Sequence, residues 1–198
     1  QTMTMTELVC EVPVVLVRHG QCEMNLSVAS TVGGRASASP LTALGRQQAL
    51  AVGPALREWL AGIQTRKTLV LTSPAERARQ TAALALGEAS DLDIEVVGDL
   101  TEMSQGRWEG QPRRECYTPQ VCAAIDASPA YFAAPGGESK HDVERRVVRA
   151  LEQAVQAADA KAGVLAFGHG VAFKCFVRWI LCSPWATLHE LDLANTGM

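Results

Sequence analysis

Residues 14–20 read VVLVRHG, an apolar run rich in β-branched residues that ends on a cation, an imidazole and a glycine. A short, continuous apolar run is typical of a strand in a parallel sheet that is covered on both faces. Arg18 and His19 therefore stand at the carboxyl end of a predicted strand. Because ligands of open α/β sheets bind at the carboxyl ends of strands, this segment predicts both a sheet and a site at its edge.

The same arrangement occurs a second time, in residues 164–170, which read VLAFGHG. Here another apolar strand ends on His169, which has a glycine on either side. If the two strands are neighbours in the sheet, His19 and His169 face one crevice. Gly20 and Gly170 are then expected to let backbone N–H groups approach an anion bound there.

Further strands and helices alternate along the chain. Strands are predicted at residues 68–72, more weakly at 94–97, and, from alternating polarity, at an edge or half-buried strand 188–193. Helices are predicted at residues 44–60, 139–158 and 171–181. The first of these should kink at Gly53-Pro54. Another helix should begin near Ser73, with Ser73 and Glu76 forming a capping box.

This alternation predicts one three-layer α/β/α domain over residues 1–198, with a mostly parallel sheet. Residues 111–137 fit the alternation least well, because they are rich in Pro, Ala and Cys. We interpret them as an inserted cap or lid.

Charge and hydropathy argue against two classes of partner. The formal net charge of −3 argues against nucleic-acid binding, and no apolar run approaches the roughly 20 residues that a membrane span needs. No secretory signal is visible, so we expect a cytoplasmic protein, while the start at Gln1 leaves organellar targeting open. The last residues resemble a turn before another strand, so we expect a C-terminal tail beyond Met198.

Six cysteines occur without CxxC spacing: Cys10, Cys22, Cys116, Cys122, Cys175 and Cys182. This pattern predicts reduced thiols, as in an intracellular protein. A Cys116–Cys122 disulfide is the alternative.

Two more charged residues follow predicted strands. Arg77 falls in the first turn of a helix, where a cation opposes the helix dipole unless an anion is shared with the helix N–H groups. Glu102 falls in a predicted loop. Alone, each would be an ordinary surface residue, but two His, two Arg and one Glu at one sheet edge predict a catalytic site. The rival interpretation is a metal site of His19, His169 and Glu102, which the adjacent charge of Arg18 opposes.

A series of short motifs runs from residue 14 to the end of the chain: Arg18-His19-Gly20 with Asn25, Leu41-Thr42 with Gly45, Thr72-Ser73-Pro74 with Arg77-Ala78 and Gln80-Thr81-Ala82, Leu100 and Glu102 with Gly106, Trp108-Glu109-Gly110, Pro135-Gly136-Gly137-Glu138-Ser139, Gly168-His169-Gly170, and Asn195-Thr196. Their combination and order resemble the histidine phosphatase superfamily, the phosphoglycerate-mutase-like proteins. The resemblance implies a mostly parallel sheet with one antiparallel strand, between layers of helices.

The resemblance also implies roles for particular residues. His19 is similar to the nucleophile that becomes phosphohistidine, and Glu102 to the group that acts first as acid and then as base. His169 belongs both to the catalytic set and to the phosphate pocket. The remaining pocket positions are Arg18, Arg77, Asn25 and Gly170. The family's chemistry needs no metal ion and no cofactor.

The chemistry of these side chains is consistent with the implied roles. Attack on phosphorus needs an unprotonated ring nitrogen, and Arg18 and Arg77 should lower the pKa of His19. The other ring nitrogen should donate to a backbone carbonyl. A phosphomonoester carries about −1.5 to −2 charge near neutral pH, which two guanidinium groups and a protonated His169 can balance.

Within the family, the runs GRWEG at 106–110 and PGGES at 135–139 resemble small-molecule phosphatases and the fructose-2,6-bisphosphatase branch. The predicted function is therefore hydrolysis of a small phosphorylated metabolite, and mutase-type phosphoryl transfer is the alternative. Which metabolite is bound stays open, and so does the choice between a monomer and a homodimer. Arg35 either meets a second anionic group of the substrate or is a solvated loop cation.

Two positions beside these motifs invite separate hypotheses. Cys22 stands where the family commonly has Thr or Ser, and a thiol is the weaker hydrogen-bonding group. Its place beside an arginine-rich pocket suggests sensitivity to peroxide, which a Cys22→Ser variant would lack. Trp108 is expected to anchor the loop of Glu102 by packing rather than to contact substrate.

Overall fold

A computed structural model describes residues 12–27, 30–36, 38–63, 68–87, 92–158 and 162–198. Within these ranges four parallel strands form one sheet in the order β1-β4-β2-β3, and the strands are β1 Val14–Arg18, β2 Leu69–Thr72, β3 Ile94–Val96 and β4 Val164–Gly168. The register of β1 and β4 pairs Arg18 with Gly168. The two strands that lead into histidine are therefore neighbours, which was the condition for His19 and His169 to face each other.

The helices in the described ranges are α1 Glu23–Ser27, α2 Ala43–Ala61, α3 Glu76–Leu86, α4 Arg113–Cys116, α5 Pro119–Ala127, α6 Lys140–Ala157 and α7 Gly170–Ile180. The predicted helices at 44–60, 139–158 and 171–181 correspond to α2, α6 and α7. The N-terminus of α6 has a capping box, because Ser139 and Asp142 each accept the other's backbone N–H. Helix α2 continues through Gly53 and Pro54 without interruption.

Apolar side chains cover both faces of the sheet. On one face, Phe167 of β4 lies in a buried cluster with Leu56 of α2. On the other face, Ala166 of β4 lies in a second cluster with Leu151 of α6 and Phe173 of α7. Full burial of a leucine or phenylalanine side chain contributes about 1.5–3 kcal/mol. The sheet is thus sandwiched between α2–α3 and α6–α7, which confirms the three-layer prediction.

The strand predicted at residues 188–193 is wrong. This part of the chain contains a 3₁₀ helix, Trp185–Thr187, then a turn at 188–190 and an irregular segment. Local bonds such as Leu188 N–H to the Trp185 carbonyl satisfy the backbone in place of a sheet ladder. All three strand pairings among the described residues are parallel, so the expected antiparallel strand is not found there.

The predicted start of α3 is also wrong. The helix begins at Glu76 after Ala75, and no side chain caps it. The Ser73 hydroxyl instead lies 2.8 Å from Nε2 of His169 and accepts the Ala75 N–H at 3.3 Å. The Ser73 hydroxyl therefore contacts His169 at the end of β4 and does not act as the cap of α3.

Residues 111–137 hold α4 and α5 and connect to the loop after α1. The Val32 N–H donates to the Gln111 carbonyl, and the Arg113 N–H donates to the Ser30 carbonyl. Helix α5 has no buried residue and therefore lies at the surface. Whether the segment acts as a lid stays a prediction.

The cysteines other than Cys10, which lies outside the described residues, are free thiols. The Cys116–Cys122 alternative is therefore wrong. None of the helices in the described ranges is both long and apolar enough to cross a membrane.

Candidate active site

The two histidines meet where β1 and β4 end. The His19 N–H extends the ladder by donating to the Gly168 carbonyl at 2.9 Å. The rings of His19 and His169 then lie edge to face, with their centroids 5.2 Å apart. The two histidines therefore lie together at this sheet edge, as the predicted site requires.

His19 is buried and held in one orientation. Its Nδ1 lies 2.8 Å from the Gly20 carbonyl, which selects the tautomer with the proton on Nδ1. Nε2 has no hydrogen-bond partner among the described residues and keeps its lone pair. The pKa of His19 is lowered to about 3, mainly by burial and to a smaller extent by the charges of Arg77 and Arg18, while the Gly20 hydrogen bond acts in the opposite direction. His19 is neutral at physiological pH, with desolvation rather than the arginines as the main cause.

His169 is fully buried. Its pKa is held well below the usual range, first by burial and second by the charge of Arg77. The free site therefore holds a neutral His169, and the protonated state expected with phosphate bound stays a prediction. Its Nε2 pairs with Ser73, whereas Nδ1 is buried without a partner among the described residues.

Both predicted arginines lie at this site, and main-chain carbonyls fix their directions. Arg77 is 2% exposed and donates to the Ala36 carbonyl at 2.6 Å and to the Gly34 carbonyl at 3.3 Å. Arg18 donates through Nη1 to the Leu193 carbonyl at 2.6 Å, while its buried Nε has no described partner.

The two predicted glycines have different surroundings. A side chain on Gly170 would touch Nε of Arg18 at 3.4 Å, so Gly170 lies against the Arg18 side chain. Gly20 serves packing instead, because a Cβ there would overlap the Gly45 carbonyl at the start of α2. Its own N–H donates to Thr81 Oγ1 at 3.0 Å and is therefore not free for an anion.

Glu102 is fixed at the start of α7, next to His169. One carboxylate oxygen accepts the N–H groups of Met103 at 2.8 Å and Ala172 at 3.1 Å. The other oxygen accepts the Val171 N–H at 3.2 Å. Its negative charge also acts on buried Arg77, which shows that the two predicted site residues lie close together.

The three residues of the rival metal interpretation do not converge as ligands. Among the described residues no three His, Cys, Asp or Glu side chains lie close enough to hold a metal ion. His19, His169 and Glu102 are all within the described ranges, so this geometry disfavours the metal site.

Asn25 and Cys22 pair with each other. The Asn25 Oδ1 accepts the Cys22 N–H at 2.9 Å and the thiol at 3.3 Å, and no hydrogen bond joins Asn25 to His19, His169, Arg18 or Arg77, all of which the structure describes. Cys22 is 1% exposed, which opposes the hypothesis of ready oxidation in the folded protein. A serine could donate to the same Asn25 oxygen.

Arg35 and Trp108 also have defined partners. Arg35 donates to Glu138 at 2.7 Å and to the Glu102 carbonyl at 3.0 Å, so it is an ion-paired residue rather than a freely solvated cation. Trp108 packs on the rings of Tyr117 and Phe132, in agreement with a packing role.

Three residues support the site without having been assigned a role in it from the sequence. Ser73 holds His169, Thr81 links Gly20 to the Arg77 carbonyl, and Asn195 donates to the His19 carbonyl at 2.8 Å. All three stood in the matched motifs, which was the only sequence signal for such a role. Apart from the local Thr81–Arg77 bond, these contacts join residues 61 to 176 positions apart, beyond the reach of local patterns.

The buried histidines predict a pH dependence of stability. Below pH 6.5 the unfolded chain binds protons at His19 and His169 that the folded chain does not bind. The free energy of unfolding should therefore fall as pH drops from 6.5 toward the folded pKa of about 3 for His19. The slope should approach about 1.4 kcal/mol per pH unit for each histidine.

Urea unfolding between about pH 5 and 7 measures this slope directly. His19→Ala should reduce it, and His189→Ala, at an exposed position, should not. Equal slopes for the parent and the His19→Ala protein would contradict the assignment.

Comparisons with known proteins agree with this geometry. The family model of the histidine phosphatase superfamily (branch 1) matches residues 14–198, and the chain belongs to that superfamily. The probable phosphoglycerate mutase GpmB of Salmonella paratyphi B is 32% identical over 191 residues, which cover 93% of this chain and 82% of that protein. The resemblance inferred from the motifs is thus confirmed.

Solved structures with the same fold include phosphatases. A mycobacterial glucosyl-3-phosphoglycerate phosphatase has a TM-score of 0.74 and 29% identity, covering 92% of this chain and 86% of its own. The phosphoserine phosphatase of Entamoeba histolytica has a TM-score of 0.75 at 22% identity, covering 92% and 86%, and so shares the fold. The chain is an enzyme of this superfamily with phosphatases among its structural neighbours.

Proposed function

We propose that this protein is a metal-independent phosphatase that hydrolyses a small phosphomonoester through a phosphohistidine on His19. The observation that carries the proposal is the set of unpaired atoms at the site. The buried Nε–H donor of Arg18 has no acceptor among the described residues, Nδ1 of His169 is buried without a partner there, and the lone pair of His19 Nε2 is unused. Leaving a buried donor unpaired costs about 1–3 kcal/mol, and a bound phosphate oxygen would remove that cost.

In the first step, Nε2 of His19 attacks phosphorus while the P–O bond to the leaving group breaks. Glu102, carrying a proton, gives it to the departing oxygen. Arg18 and Arg77 stabilise the charge on the phosphoryl oxygens, and guanidinium groups suit this because they donate in pairs. The bound dianion also favours protonation of His169, which burial and, to a smaller extent, the charge of Arg77 oppose in the free site.

In the second step, Glu102 takes a proton from a water molecule that attacks the phosphoryl group. The N–P bond breaks, its electrons return to Nε2, and His19 is again neutral with its proton on Nδ1. Inorganic phosphate leaves. The intermediate divides one difficult displacement into two easier ones. Asn25 would contribute indirectly, by ordering the turn that follows Gly20.

The experiment that tests the proposal is hydrolysis of p-nitrophenyl phosphate in the presence of EDTA, with and without vanadate. We expect EDTA to leave the activity unchanged, because side-chain cations bind the phosphate. Vanadate should inhibit by occupying the phosphate position. Loss of activity in EDTA that added metal restores would overturn the proposal.

A mutase activity is the second candidate, because a relative 32% identical to this chain is described as a probable phosphoglycerate mutase. Incubation with 3-phosphoglycerate separates the two activities, since a phosphatase releases inorganic phosphate and a mutase forms the 2-phospho isomer. A panel of sugar phosphates, phosphoserine, phosphoglycerates and nucleotides would then identify the substrate.

A further inference from the structure

Arg146 of α6 makes an unusually complete set of hydrogen bonds near Glu102. Its Nη1 donates to the carbonyls of Asp99 at 2.6 Å and Thr101 at 2.7 Å. Its Nη2 donates to the Glu102 carbonyl at 3.1 Å. The side chain is 10% exposed, so these bonds are largely shielded from water.

The same guanidinium forms a bidentate pair with Glu138. Nε and Nη2 of Arg146 lie 2.9 and 3.0 Å from the two Glu138 oxygens. Glu138 also accepts the Ser104 N–H at 3.0 Å and is paired with Arg35. These hydrogen bonds outweigh burial and lower the pKa of Glu138, which keeps it ionised. Arg146 and Glu138 thus bind the main chain before and after Glu102.

Glu102 needs such support because residues 101–105 form neither helix nor strand. Its carboxylate is held by N–H groups of Met103, Val171 and Ala172, but those bonds fix only the tip of the side chain. The backbone from which it extends depends on Arg146. A lysine could not replace this planar fork, which reaches three carbonyls and a carboxylate at once.

We propose that Arg146, paired with Glu138, is a positioning residue that aims Glu102 at the leaving-group oxygen. This inference rests on the proposed function of Glu102 as the acid. A residue with this task matters most when the leaving group needs a proton. An alkoxide needs one, whereas p-nitrophenolate departs as a stable anion.

The test compares kcat/KM of Arg146→Lys on glycerol phosphate and on p-nitrophenyl phosphate. This parameter reports steps up to departure of the leaving group, so the shared hydrolysis of the phosphoenzyme does not mask the effect. We expect at least about a 10-fold loss on glycerol phosphate, part of the roughly 10²–10⁴-fold that a general acid supplies, and a much smaller loss on p-nitrophenyl phosphate.

The matched control is Arg149→Ala. Arg149 lies one turn further along α6, pairs with the Asp99 side chain at 2.7 Å and is 63% exposed. Both substrates should react as in the parent, because Arg149 contacts no main chain of the Glu102 loop. Glu138→Gln gives a second variant if Arg146→Lys folds poorly. It should likewise lower kcat/KM on glycerol phosphate much more than kcat/KM on p-nitrophenyl phosphate.

An equal loss on both substrates in folded Arg146→Lys and Glu138→Gln proteins, or no loss at all, would overturn the inference. Thermal unfolding confirms that each variant is folded. Failure of the proposed function looks different, because the parent and a His19→Ala variant would then hydrolyse p-nitrophenyl phosphate equally.

Discussion

A His19→Ala variant is expected to lose at least about 10³-fold in kcat, because removing a nucleophile that forms a covalent intermediate stops both chemical steps. No neighbouring group can substitute. The His169 ring is committed to Ser73 through Nε2, and its pKa is held low by burial. Steady-state hydrolysis of p-nitrophenyl phosphate measures the loss.

The His19 side chain also packs in the site, so a more conservative variant is needed. His19→Asn places an amide where Nδ1 now faces the Gly20 carbonyl, which retains that hydrogen bond in principle. It should be as inactive as the alanine variant and closer to the parent in thermal stability. The exposed His189→Ala protein serves as control and should retain full activity. A His19 variant with parent-like turnover would contradict a nucleophilic role.

Glu102→Gln is expected to lower kcat/KM for alkyl phosphates by about 10²–10⁴-fold, the usual contribution of a general acid. Glutamine keeps the size of the side chain but cannot supply the carboxylic proton. The value of kcat/KM for p-nitrophenyl phosphate should fall much less, because its leaving group needs no proton. The measurement is the ratio of kcat/KM on the two substrates for the parent and the variant.

Glu95→Gln, an exposed carboxylate on β3, is the control and should match the parent on both substrates. If Glu102→Gln lowered kcat/KM for both substrates by the same factor, Glu102 would be a structural residue of the α7 N-terminus. If it reduced neither, another group would have to be the acid.

The sheet and the paired histidines could be predicted because a buried parallel strand leaves a continuous apolar run. In β1 and β4 that run stops at the sheet edge, where His19 and His169 stand. The alternating polarity of residues 188–193 led to the wrong prediction of a strand, because the same pattern occurs in a turn that buries Leu188. The segment after it contacts Arg18 through main-chain carbonyls, which no side-chain pattern encodes.

The supporting contacts of the site could not be predicted for a related reason. The main-chain carbonyls of Gly34 and Ala36 orient the Arg77 side chain. Every residue has such a carbonyl, so no residue type in the sequence indicates this contact. Arg146 sits in a helix with many charged residues and is indistinguishable in sequence from exposed Arg149. The neutral state of His169 follows from its depth of burial, which only the assembled layers determine.

The central claim is that a phosphoryl group passes through His19, and trapping the intermediate tests it most directly. The protein would be mixed with phosphate-radiolabelled substrate, quenched within one turnover and mapped by mass spectrometry. Phosphohistidine is labile in acid and stable in alkali. We expect an acid-labile, alkali-stable label on the peptide that contains His19 and no label in the His19→Ala protein. EDTA should not change the yield of labelled protein. A turnover-competent protein that gave no label, or label on another residue, would contradict the mechanism.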